Sequence, residues 1–141
     1  MSKKLSVVLL VRNEEVNIGE CLESVKVIAD EIVVVDEKSK DKTVEIARKC
    51  KAEVYSVEHQ DNFHINKQKA IDKATGDWIL QLDADEHVSS ELAKEILEVI
   101  NSTNEELLER TPRRWPNGLL EGGEFKKFSL FARHQKLIEK R

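Results

Sequence analysis

Apolar and polar residues follow two rhythms along this chain, and the switches between them predict its elements. Leu5 to Val11 is β-branched and almost wholly apolar, the pattern of a strand buried on both faces. Polar Arg12, Asn13, Glu14 and Glu15 follow, and then Ile18, Leu22, Val25 and Ala29 recur at helical spacing. Glu31 to Asp36, EIVVVD, predicts a second buried strand that ends in an acid. Asp41 is placed to cap a helix through Val44, Ala47 and Cys50, with Thr43 and Glu45 in its first turn. Glu53 to Val57 predicts a third strand. Phe63 to Ala74 predicts a third helix, lysine-rich on one face with Ala70, Ile71 and Ala74 on the other. Gly76 and Asp77 form a turn before a buried fourth strand, Trp78 to Leu82, and Ser89 caps a fourth helix with Leu92, Ile96 and Val99 or Ile100 inward.

Strands alternating with helices at this spacing indicate βαβ units and a parallel sheet. Ligands of such sheets bind outside the carboxyl ends of the strands. Three of those ends carry polar chemistry: Asn13 and Glu14 after the first, Asp36 after the second, Asp83 and Asp85 after the fourth. If the chain stays extended past Leu82, the i and i+2 carboxylates Asp83 and Asp85 project to one side. Two adjacent anions are relieved by a cation or a shared proton, and an all-oxygen pair suits magnesium or manganese. An isolated D-x-D is also compatible with a solvated acidic turn; the convergence of the three strand ends favours a site.

The pattern changes after Ile100. Asn101 to Asn104 is a polar break, Glu105 to Arg110 fits a short helix, and Thr111 to Gly123 holds both prolines and three glycines, the composition of a loop. In the tail, Phe125, Phe128 and Phe131 or Ala132 fall at helical spacing with an excess of basic residues. The expected organisation is a nucleotide-binding domain over 1–104, a linker over 105–124 and a basic amphipathic helix over 125–141. Such a helix has three open destinations: an anionic membrane surface, its own domain, or a second chain.

At 141 residues the chain fits one core. Its net charge of −4 gives no bulk attraction to nucleic acid. Cys21 and Cys50 lack metal or redox spacing and read as buried thiols, which suits a reducing compartment. The N-terminal apolar run is short, lacks a small-residue cleavage pattern, and reads as a strand rather than a signal peptide. With no run of about 18 apolar residues, a cytoplasmic protein is expected, with peripheral contact at the inner membrane face open through the tail. His87 adjoins the acids and reads as a turn residue facing water; His59, His64 and His134 have no metal-ligand spacing.

SVVLLVRNEE with its following helix, ADEIVVVDEKSKDKTVEIA and NKQKAIDKATGDWILQLDADEHVS occur in the order and spacing of family 2 glycosyltransferases, and over Leu5 to Ile100 the chain resembles their nucleotide-sugar-binding half. Among them it looks most like bacterial glucosyltransferases of lipopolysaccharide core assembly. The resemblance implies an α/β, Rossmann-like GT-A three-layer sandwich with a mostly parallel sheet, cut short after the D-x-D region. It also implies inverting transfer of a sugar from a nucleoside diphosphate, usually UDP, to an acceptor hydroxyl on a cell-envelope glycan or lipid.

By position, Asp36 resembles the acid that bonds the base. The backbone of Leu10 to Asn13, Val11 included, resembles with Glu14 the loop lining the nucleoside. Asp83 resembles the acid near ribose and metal, and Asp85 the magnesium or manganese ligand that bridges to the diphosphate. Lys67 and Lys69 are placed to add positive charge near the diphosphate, but on a helix surface both read first as solvated lysines.

Two departures stand out. Lys38 replaces the glycine of the usual Asp-Ser-Gly-Ser-Thr-Asp run, which matters if that turn needs a positive φ. The acceptor half, which normally supplies the general base, is expected to be largely missing; Glu121 and Glu124 are carboxylates in that direction, but no motif marks either as the base. The rival to an enzyme is therefore a truncated, non-catalytic nucleotide-binding half-domain. An aspartyl phosphatase would need its D-x-D after the first strand, and a receiver domain an acidic pair there; neither pattern fits.

Overall fold

The structure, a computed structural model, describes residues 5–101 and 129–132. Its elements run β1 (Leu5–Val11), α1 (Ile18–Val25), β2 (Glu31–Asp36), α2 (Thr43–Lys49), β3 (Glu53–Ser56), α3 (Phe63–Lys73), β4 (Trp78–Leu82), α4 (Ser90–Asn101) and β5 (Ser129–Ala132). The sheet order is β3-β2-β1-β4-β5, with the first four strands parallel and β5 antiparallel to β4.

β1 is apolar on both faces because it is covered on both. Leu5, Val7, Leu9 and Val11 pack with Ile18, Leu22 and Val25 of α1 and Leu92 and Ile96 of α4, while Val8 joins Val33, Val35 and Ile79 against Ala70 and Ala74 of α3. With α1 and α3 on opposite faces, the chain winds outward from β1 through β2 to β3 and then returns across the sheet to β4. That reversal, between β1 and β4, is where doubly wound sheets leave room for a ligand at the carboxyl ends.

The turn into β4 is fixed by a buried polar knot. Ser6 Oγ donates to Glu31 Oε2 at 2.7 Å, Thr75 donates to the same carboxylate from its N–H and Oγ1, each at 2.8 Å, and Gly76 N–H donates to Ser6 Oγ at 2.8 Å. A Cβ on Gly76 would lie 2.7 Å from Ser6 Oγ and 2.9 Å from its backbone nitrogen, so this close approach requires glycine. Ser89 caps α4 as expected, accepting from Leu92 N–H at 3.1 Å.

The tail corrects one expectation. Ser129–Ala132 is a strand paired in register Trp78↔Ala132 to Gln81↔Ser129, not part of a helix over 125–141. Phenylalanines three apart satisfy a helical pattern locally, but the open edge of β4 offers a ladder of unpaired backbone groups that a strand satisfies. The expected linker over 105–124, Glu121, Glu124, His134 and the remainder of the tail lie outside the described residues.

Candidate active site

The loops after β1 and β2 are stitched together. Asn13 takes the left-handed conformation, φ 52, which asparagine tolerates better than most residues. Its N–H donates to Ser39 Oγ at 2.7 Å and its Oδ1 accepts from Lys40 N–H at 2.8 Å. Glu14 N–H donates to Thr43 Oγ1 at 2.7 Å, and Glu15 N–H to Asp41 Oδ2 at 3.2 Å. Val11 is buried in register with Asp36, and its carbonyl accepts from Glu37 N–H at 2.9 Å. Asp36 is 2% exposed, and both its carboxylate oxygens accept from Ser39. Lys38, at the expected glycine position, has φ 56: the turn does need a positive φ, and a lysine adopts it.

The acidic segment after β4 departs from the extended path. Asp83 to Glu86 is a turn, closed by Glu86 N–H donating to the Asp83 carbonyl at 3.0 Å and Asp83 N–H donating to Glu86 Oε1 at 2.8 Å. Ala84, 4% exposed, is buried between two more exposed acids within this turn. The chain does not stay extended past Leu82, and the turn sets the relation of Asp83 and Asp85. Cys21 of α1 lies beneath it, its Sγ 3.7 Å from the Asp83 carbonyl. Burial pushes the Cys21 thiol up to about 12, with Glu86, Asp83, Asp85 and Glu14 adding to the rise. The acids of the β4 loop thus sit over the start of α1. A small hollow of about 150 Å³ opens there, lined by Asn17, Glu20, Cys21, Ala84, Asp85, Glu86 and His87.

Glu37 and Asn66 carry no signal in the sequence, and Lys67 reads there first as solvated. Lys67 is 27% exposed and turns its Nζ to within 3.6 Å of Asp83 Oδ1, so it is paired as well as partly solvated; Lys69 is exposed as expected. Its position on α3 one turn before Ile71 is the only signal, and a helical period does not reveal where a long side chain ends. Glu37, buried behind Asp36, accepts from Asn66 Nδ2 at 2.7 Å and lies 3.2 Å from His59 Nδ1; Asn66 also donates to the Glu58 carbonyl at 2.8 Å. These ties fasten the start of α3 to the end of β2. A buried glutamate flanked by lysine and aspartate in sequence carries no mark that separates it from a surface acid.

A family model described as glycosyl transferase family 2 matches residues 6–137. This chain belongs to glycosyl transferase family 2. An uncharacterized glycosyltransferase of Rickettsia typhi is 39% identical over 104 residues, covering 74% of this chain and 35% of the relative. Among solved structures, S. aureus TarS superposes with a TM-score of 0.61 at 28% identity over 70% of this chain and 32% of that one. Glucosyl-3-phosphoglycerate synthase from Mycobacterium tuberculosis, solved with Mn2+, UDP and glucosyl-3-phosphoglycerate, superposes at 0.53 and 25% identity over 60% of this chain and 36% of that one. The glycosyltransferase chain described here thus spans about a third of the length of the relatives it matches. Its α/β fold is that of these GT-A neighbours. Among the described residues no helix is long and apolar enough to cross a membrane.

Proposed function

We propose that this chain is the donor-binding part of an inverting glycosyltransferase that uses a UDP-sugar and a divalent cation. The observation that carries the reading is the seating of Asp36 and the Asp83–Glu86 turn at the carboxyl ends of β2 and β4, the two strands flanking β1, in a chain of this family. In this reading Asp36 accepts the ring N–H of the base, and the backbone of Val11 and Asn13 with Glu14 lines the nucleoside. Lys67 adds positive charge beside Asp83, where the diphosphate lies. The acceptor, following the resemblance to lipopolysaccharide-core enzymes, is a hydroxyl of a cell-envelope glycan or lipid at the inner membrane face.

Among the described residues no group of three or more His, Cys, Asp or Glu could enclose a metal ion. That is compatible with magnesium or manganese, which are commonly held by one or two carboxylates with substrate phosphates completing the shell. Asp85 and Asp83 supply that pair, Asp85 exposed and Asp83 half-exposed. When bound, the ion neutralises charge gathering on the departing diphosphate. A neighbour solved with Mn2+ and UDP supports the choice of both.

Calorimetry with UDP, with and without manganese, tests the reading. Binding is expected to weaken in chelator, and Asp85→Ala to remove the metal dependence more completely than Asp83→Ala. Equal affinity in chelator and in manganese counts against the metal role. The second reading is a nucleotide-binding half-domain without catalysis. UDP-sugar hydrolysis and transfer, measured on the same preparation, separate the two.

A further inference from the structure

One residue holds the carboxylate of Asp36. Ser39 N–H donates to Asp36 Oδ2 at 3.0 Å, and Ser39 Oγ donates to Oδ1 at 2.5 Å. The hydroxyl has a single proton, and its direction is set from behind, because the same oxygen accepts Asn13 N–H at 2.7 Å. Donors therefore run in series from Asn13 through Ser39 to Asp36, each polarising the next. Lys40 N–H returns the connection to Asn13 Oδ1, so the loops after β1 and β2 are tied reciprocally around Ser39. The Asp36 backbone is held as well, in register with Val11 and Ser56, and with its carbonyl accepting Val57 N–H at 2.9 Å. Only the rotation of the side chain remains to be fixed, and Ser39 fixes it.

We propose that Ser39 is the positioning residue for base selection: by gripping both oxygens of Asp36 it aims the remaining lone pairs at a ring N–H, and so favours a uracil-type base over cytosine. The proposal rests on the reading of Asp36 as the acid that meets the base. A carboxylate has about four acceptor positions, and Ser39 fills two. Uracil presents N3–H to one of the others. Cytosine presents a lone pair at the same place, which faces the carboxylate with like polarity and leaves it unpaired. Without Ser39 the carboxylate is free to rotate, and the contrast between the two rings fades.

Binding of UDP and of CDP to the 141-residue chain, with manganese present, reads this directly. The wild type is expected to favour UDP by about 10-fold or more, within the range of a mismatched buried polar contact. Ser39→Ala should weaken UDP and shrink the UDP-to-CDP ratio at least about 5-fold, while Ser39→Thr, which keeps the hydroxyl, restores it. Should the alanine variant fail to fold, Ser39→Cys, a weak donor of similar size, takes its place with the same expectation. A wild type that does not distinguish UDP from CDP overturns the reading of Asp36 and this proposal with it. If the wild type discriminates and the variant lacking the hydroxyl keeps the full ratio, the proposal alone is overturned, whether both nucleotides weaken together or UDP binds more tightly.

Discussion

The ammonium of Lys67 lies 3.6 Å from the carboxylate of Asp83, joining α3 to the turn after β4 across the face of the sheet. Both side chains keep contact with water, so the pair itself is worth only about 0–1 kcal/mol. In the proposed reading its functional weight lies in placing a cation beside the diphosphate. Lys67→Met should weaken UDP binding by about 3- to 10-fold at low ionic strength, and the difference should shrink in high salt. Manganese alone should bind the variant no more weakly than the wild type. Unchanged UDP affinity at low salt would reduce Lys67 to a partner of Asp83.

Lys38 stands at φ 56, where the family resemblance leads one to expect glycine. A side chain there costs about 1–2 kcal/mol, and glycine recovers this minus about 0.4–1 kcal/mol of added unfolded-chain freedom. The exposed pair of Lys38 with Glu58, 3.4 Å apart, adds little. Lys38→Gly is therefore expected to stabilise the fold by about 0.5–1 kcal/mol. The midpoint of urea unfolding checks it, and a lower midpoint would show that the lysine side chain contributes contacts worth more than the strain.

Gly76→Ala pushes a methyl group against the buried Ser6. Either β1 and the turn part, or the Ser6–Glu31 hydrogen bond breaks and leaves a buried carboxylate with fewer donors. A loss of about 1–3 kcal/mol is expected, visible as a lower unfolding midpoint. A variant as stable as the wild type would mean that the turn moves freely.

Glu37 gives stability a dependence on acid. Burial alone would raise its pKa, but donation from Asn66 and His59, with the charges of His59 and Arg12, outweighs burial and holds the carboxyl below its ordinary 4.5. The folded state therefore favours the ionised form. Its contribution is complete above the ordinary value and is lost as pH falls through the lower, folded one. Glu37→Gln should be less stable than the wild type at neutral pH, and the gap should narrow as pH drops below 4.5. Denaturant titrations across that range test the sign; a gap that widens in acid would contradict it.

Much of this protein was legible in its sequence because the information is periodic and local. The β-branched run Leu5 to Val11 announces a strand covered on both sides, Ile18, Leu22 and Val25 announce a helix packed on it, and Ser89 announces a cap; none needs knowledge of a distant residue. The placing of Asn13, Glu14, Asp36 and Asp83 at strand ends follows from the same rhythm. The tertiary structure alone decided what depends on contacts between separate elements. The acidic segment turns after Leu82 instead of extending, α3 packed across β1 and β2 carries Lys67 to Asp83 and Asn66 to Glu37, and the edge of β4 draws Ser129–Ala132 into a ladder where their own spacing suggests a helix. Local periodicity records which face of an element is apolar. The end point of a long polar side chain, and the partner of an open sheet edge, are set by chain folded back from tens of residues away.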